Sequence, residues 1–135
     1  MDQKNSNRYI VIDDDVINNH LCYKYIKISV PDAMIDTFTD PEKALIFINE
    51  TYPLENCPQT IILLDINMPV LNGWEVLDKF GEMSETIRKQ FITYILSSSV
   101  SHEDKEKAEK HPLVSGFIEK PLSTFKIKTI LAGIN

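Results

Sequence analysis

The feature that most constrains this chain is a fivefold alternation of short apolar runs with segments of helical spacing. Tyr9 to Ile12, Ala33 to Phe38 (interrupted by Asp36), Thr60 to Leu64 and Phe91 to Leu96 are of strand length and almost free of charge. Gly116-Phe117-Ile118 is a fifth, shorter run followed at once by charge. The runs IVI and IILL show no polar alternation, which suits interior strands covered on both faces, whereas AMIDTF alternates and suits a sheet edge.

Between the strands, Ile17, Leu21, Tyr25 and Ile28 recur at steps of three and four and predict the apolar face of a first helix. Asp40-Pro41-Glu42 gives a cap followed by proline at the first helical position, ahead of Leu45 and Ile48. Asn72 caps a helix carrying Val76, Leu77 and Phe80, and Ser101 with Asp104 resembles a capping box for a charged segment ending near His111. Ser123 opens a last helix with Ile127, Ile130, Leu131 and Ile134 on one face. This order predicts a mostly parallel sheet with right-handed crossovers and helices on both faces. In such sheets, ligands bind beyond the carboxyl ends of the strands, so the residues that follow each strand should converge.

Those residues are chemically coherent. Asp13, Asp14 and Asp15 follow the first strand, Asp65 the third, Ser97 the fourth and Lys120 the fifth. Carboxylates from two neighbouring strand ends repel one another unless a cation joins them, and oxygen-only ligands favour a hard ion such as Mg²⁺, with Mn²⁺ an alternative occupant. Lys120 and Ser97 add a positive charge and a hydroxyl donor at the same rim, a set suited to phosphoryl transfer onto a carboxylate.

The length of 135 residues fits one domain, here 1–135, with 1–7 expected to be a flexible tail. A formal net charge of −6 and a pI near 5.0 argue against nucleic-acid or anionic-lipid partners. No apolar run reaches the length of a signal peptide core or a membrane span, and a cytoplasmic location is expected. Cys22 and Cys57 lack a metal or redox spacing and read as free thiols. His20, His102 and His111 share no ligand spacing and read as surface residues. Asp15 reads as a helix cap, EDKEKAEKH as a solvated helix, and Trp74 as partly exposed.

The ordered set YIVIDDD, IILLDINMPVLNGWEVL, YILSSS and GFIEKPL resembles the receiver domain of two-component response regulators over nearly the whole chain. The resemblance implies a flavodoxin-like (βα)5 fold, a doubly wound parallel five-stranded sheet with strand order 2-1-3-4-5. It implies Asp65 as phosphoacceptor, Asp14 as a direct Mg²⁺ ligand, Asp13 as a ligand mainly through water, and the main-chain carbonyl of Asn67 as a further ligand. Ser97 and Lys120 would contact phosphoryl oxygens, and Phe117 would be the aromatic switch that follows Ser97. Asn67 and Ser99 would tune the lifetime of the phosphoryl group, and the Lys120–Pro121 bond would be cis. The implied partners are a sensor histidine kinase or phosphotransfer protein as donor, and a protein target for output. The helix after the fourth strand, the fifth strand and the last helix form the surface such proteins often use for docking. The chain would be a switch that assists its own phosphorylation and dephosphorylation, not an enzyme acting on a separate substrate.

Two other classes share parts of this pattern. Asp13-Asp14-Asp15-Val16-Ile17 resembles the opening motif of haloacid dehalogenase-type phosphohydrolases, but Asp65 in its DINMP context would then be unexplained, and no cap insertion or later acidic motif is present. A flavin-binding domain of the same fold should offer hydroxyls and amides to phosphate in its first loop, where three carboxylates would repel it. A receiver-like domain that is never phosphorylated finds no support, since every motif residue is in place.

Overall fold

The computed structural model describes residues 8–52, 59–98 and 101–134. Five strands, β1 (Arg8–Ile12), β2 (Met34–Phe38), β3 (Thr60–Asp65), β4 (Phe91–Ser97) and β5 (Val114–Glu119), form one sheet in the order β2-β1-β3-β4-β5. Every pairing is parallel. This is the flavodoxin-like topology implied by the sequence, and the order reverses between β1 and β3, where Ile12 pairs with Leu64. The acids that follow these two strands are thereby neighbours.

All six residues of β3 are buried, as expected of a strand without polar alternation at the middle of a doubly covered sheet. Edge strand β2 has no buried residue, which matches its alternating sequence. Two cores flank the sheet. On one face Ile10, Ile12, Ile62, Leu64 and Ile95 pack with α2 (Pro41–Thr51), α3 (Gly73–Gly81) and α5 (His102–Lys110); on the other, Tyr9, Val11, Ile61, Leu63 and Leu96 pack with α1 (Val16–Ser29) and α6 (Thr124–Ile134). Burying each Ile or Leu stabilises the fold by about 1.5–3 kcal/mol before the cost of ordering the chain is counted.

Helix boundaries follow the caps read from sequence. Asp40 caps α2 with Pro41 at its start, Asn72 and Glu75 form a reciprocal capping box on α3, and Ser101 accepts from the Asp104 amide at the start of α5. Ser123 Oγ accepts from Lys126 N at the head of α6. As expected, α5 is a solvated helix: only Ala108 on it is buried, and Lys110 pairs with Glu106. Ile127 and Ile130 of α6 are buried and Leu131 is half-buried, while the Ile134 side chain lies outside the described residues.

Two expectations need correction. A one-turn helix, α4 (Glu85–Arg88), capped by Ser84, lies between α3 and β4, where no helix was read. The inward face of α1 is also rotated from the predicted one: Asn18, Asn19, Cys22 and Ile26 are buried, whereas Ile17, Leu21 and Ile28 are exposed and Tyr25 is half-buried. The reason is polar anchoring. The amides of Asn18 and Asn19 bond Asp13 and the end of β2 and turn that side inward, so an apolar stripe faces out.

Candidate functional site

The carboxyl ends of β1, β3, β4 and β5 bring together the residues singled out from the sequence. Asp13 is fully buried, Asp65 is 4% exposed and Asp14 is exposed, and one carboxylate oxygen from each lies within 4.8 Å of the others. Among the described residues this is the group with a geometry able to hold a metal ion. Lys120 reaches in from the end of β5, with its Nζ 2.7 Å from Asp13 Oδ2 and 3.9 Å from Asp65 Oδ1. The Lys120–Pro121 bond is cis, as the resemblance implied, and Lys120 N donates to Ser97 O at 2.8 Å.

Asp13 is firmly held. Its N–H donates to Phe38 O, its Oδ1 accepts from Asp15 N at 2.9 Å, and its Oδ2 accepts from both Lys120 and Asn18 Nδ2, each at 2.7 Å. Asp15 caps α1 by accepting from Ile17 N and Asn18 N, so its carboxylate is engaged in starting the helix, as read. Asp65 Oδ1 accepts from Asn67 N at 3.2 Å, and the Asn67 side chain donates to Ser97 Oγ at 3.3 Å. Ser97 is fully buried. Phe117 is half-buried on β5, paired with Ile95, and lines a groove of about 320 Å³ with Tyr94, Phe125 and Ile130. Ser99, Cys57 and the N-terminal tail lie outside the described residues. Cys22 is a buried free thiol, pushed up to about 12 by burial and by the Asp13 charge.

The loop after Asp65 depends on the absence of a side chain at Gly73. No described residue has a positive φ, so Gly73 is not needed for an unusual backbone angle. It is needed for closeness: a Cβ there would stand 2.7 Å from Asp65 O and 2.7 Å from Ile66 Cα. Gly73 N donates to Ile66 O and ties the start of α3 to the acceptor strand. Trp74 follows, stacked on His111 and covered by Lys107, so His111 packs against α3 and is half-buried, less exposed than the sequence suggested.

The electrostatics express the crowding of like charges. Burial raises the Asp65 carboxyl to about 6; Asp13 and Asp14 push the same way, against the Asn67 amide and Lys120. For Lys120, burial alone would favour the neutral amine. The hydrogen bond to Asp13 and the charges of Asp13, Asp65 and Asp15 outweigh it and hold the ammonium above the ordinary lysine value. Three hard oxygen donors, one of them from a carboxyl that resists ionisation beside the other two, fit a divalent cation of the Mg²⁺ class. Asn18 and Asn19 were missed in the sequence. The one available signal was an adjacent pair of amides within a helix whose apolar face could be read in two registers.

Comparison with known proteins agrees with this geometry. The family model of the response regulator receiver domain matches residues 9–132. A two-component response regulator from Cytophaga hutchinsonii is 32% identical with a TM-score of 0.86, over 96% of this chain and 97% of that one. A response regulator receiver protein from Dyadobacter fermentans is 26% identical with a TM-score of 0.84, over 94% and 96%. The fold is shared with a structure described as a CheX–CheY–BeF3–Mg²⁺ complex from Borrelia burgdorferi, 24% identical with a TM-score of 0.74 over 94% and 87%. No curated protein sequence matches the chain. With its sheet order, its rim of strand-end acids and lysine, and a family match spanning nearly its full length, this chain belongs to the response regulator receiver domain family.

Proposed function

We propose that this chain is a signalling switch that accepts a phosphoryl group on Asp65 in a Mg²⁺-dependent reaction and reports it through protein contacts. The observation that carries the reading is the gathering of Asp13, Asp14, Asp65 and Lys120 at the point where the strand order reverses. The cation would be held by Asp13, Asp14, Asp65 and the main-chain carbonyl of Asn67, and would neutralise both the carboxylates and the incoming phosphoryl oxygens. That role meets a need visible in the site, because Asp65 must be ionised to act as a nucleophile and its surroundings oppose ionisation.

In the proposed step a carboxylate oxygen of Asp65 attacks phosphorus, the P–N bond to a donor imidazole breaks, and its electron pair returns to the imidazole nitrogen, which takes up a proton. Lys120 turns from Asp13 toward the phosphoryl oxygens, and Ser97 Oγ donates to another. The product carries added negative charge at the rim, which draws Ser97 inward and lets Phe117 shift toward the groove beside Tyr94, biasing the distal face between two states. Asn67 and Ser99 would set how readily water reaches the acyl phosphate.

A protein donor is supported by what surrounds the acids. The first turns of α1 and α6 and the loop after β3 all lie at this rim, and they expose Val16, Ile17, Phe125 and Val70. Val70 is 84% exposed, and exposed apolar side chains on the segments that follow the strands suit protein docking more than the binding of a small ion alone. The Mg²⁺ and BeF3 named with the Borrelia protein accord with the same chemistry at a similar fold.

Incubation with phosphoramidate and Mg²⁺ tests the reading. One phosphoryl group should be added, as seen by intact-mass spectrometry, and it should be absent with EDTA and in Asp65→Asn. Equal labelling of Asp65→Asn would overturn it, and labelling that requires Asp13 as nucleophile would favour the phosphohydrolase reading.

A further inference from the structure

Asn18 is a buried amide on the inward face of α1, and none of the roles above uses it. Its Nδ2 donates to Asp13 Oδ2 at 2.7 Å and lies 3.7 Å from Cys22 Sγ, so both amide hydrogens are directed within the protein. Asp13 Oδ2 also accepts from Lys120 Nζ at 2.7 Å. A carboxylate oxygen has two lone-pair directions, so this one is filled. Among the described residues Oδ1 accepts a single bond, from Asp15 N, which leaves one of its directions for the cation or its water. The neighbouring amide, Asn19 Nδ2, fixes the Asp13 main-chain carbonyl at 2.9 Å and the end of β2 at 3.3 Å, which prevents the backbone from turning to compensate.

We propose that Asn18 is a positioning residue of the metal site: by filling Asp13 Oδ2 beside Lys120, it leaves Oδ1 as the oxygen through which Asp13 engages the cation or its water. The inference rests on the reading of Asp13 as part of a Mg²⁺ site. It also gives Asn18 a second task in the cycle. When Lys120 leaves Asp13 for the phosphoryl group, the amide remains, so the buried oxygen is not stripped of all its donors at the moment of transfer. A leucine of similar size in place of Asn18 fills the same volume and removes the amide, and with it the donor to Asp13 Oδ2, while Asn19 still anchors α1 to Asp13 O and the end of β2. Asp13 then has two donors in place of three, can rotate, and offers either oxygen.

Titration of the metal-free protein with MgCl₂, followed by amide NMR, reads this directly, because the spectrum reports fold and binding together. In Asn18→Leu the Mg²⁺ midpoint should rise about tenfold, in the range found when groups behind metal ligands are removed. The spectrum away from the rim should stay that of the wild type, and saturating Mg²⁺ should restore the phosphoramidate labelling rate to within about twofold. An unchanged midpoint overturns the proposal. So does a rate that stays depressed at saturating Mg²⁺, which would make Asn18 merely structural. If Asn18→Leu does not fold, Asn18→Ala carries the same expectations without added bulk. A wild-type protein whose rim amides do not respond to Mg²⁺ would overturn the metal reading and the role of Asn18 with it. A wild type that responds, beside a variant with the same midpoint, would overturn the role of Asn18 alone.

Discussion

Replacing Asp65 with Asn should stabilise the metal-free protein, although it removes the residue on which the proposed chemistry depends. In the folded chain this carboxyl titrates near 6, against 3.8 for the free group, because it is buried beside Asp13 and Asp14. Each pKa unit corresponds to about 1.4 kcal/mol, so holding Asp65 ionised costs the fold up to about 3 kcal/mol at neutral pH. An asparagine stands in for the protonated carboxyl. It has the same shape, keeps an oxygen to accept the Asn67 N–H, and carries no charge. A gain of about 1–3 kcal/mol follows, or a Tm rise of roughly 3–10 °C for a domain of this size. The pH dependence has a definite sign. Between pH 3.8 and about 6 the folded state holds a proton that the unfolded state has released, so wild-type stability falls as pH rises through that window and levels off above it. The advantage of Asp65→Asn should therefore be near its maximum at about pH 7.5 and shrink toward about pH 4. Millimolar Mg²⁺ should shrink it too, by relieving the wild type while finding fewer ligands in the variant. Urea unfolding in EDTA at several pH values measures all of this. A variant no more stable than wild type near pH 7.5, or a gain that persists unchanged at low pH, would refute the electrostatic reasoning.

Two further substitutions probe the loop and the lysine. Gly73→Ala places a methyl group 2.7 Å from the main chain of the acceptor strand, and should lower stability by about 2 kcal/mol or more in urea unfolding while slowing phosphoramidate labelling. Lys120→Met removes the cation held between Asp13 and Asp65; the metal-free protein should lose about 3 kcal/mol, Mg²⁺ should bind several-fold more tightly by NMR titration, and labelling should slow.

The fold was legible because its signals are local and agree with one another. Uninterrupted apolar β1 and β3, alternating β2, Asp40-Pro41 and the Asn72/Glu75 box each specify an element without reference to the rest of the chain. The site was legible for a topological reason: once the strands are parallel, residues that follow them must meet at one rim, so Asp13, Asp14, Asp65, Ser97 and Lys120 could be gathered from their sequence positions. What escaped depends on contacts between distant segments. The face of α1 is chosen by amides reaching Asp13 and Phe38 O, which hydrophobic spacing cannot report, and two buried asparagines disguised the inward side. The need for Gly73 is of the same kind: a side chain is excluded there because Asp65 O and Ile66 pass so close, which is a contact with another segment and not a local signal. The one-turn α4 is too short to show a period.

The most direct test of the account is to locate the phosphoryl group on the chain. Reduction of the phosphoramidate-treated protein with borohydride converts an aspartyl phosphate to homoserine, and peptide mass spectrometry then identifies the position. Homoserine at Asp65, formed with Mg²⁺ and not with EDTA, is the predicted result. Homoserine at Asp13 or Asp14, or at Asp65 to the same extent without a divalent ion, would contradict the account.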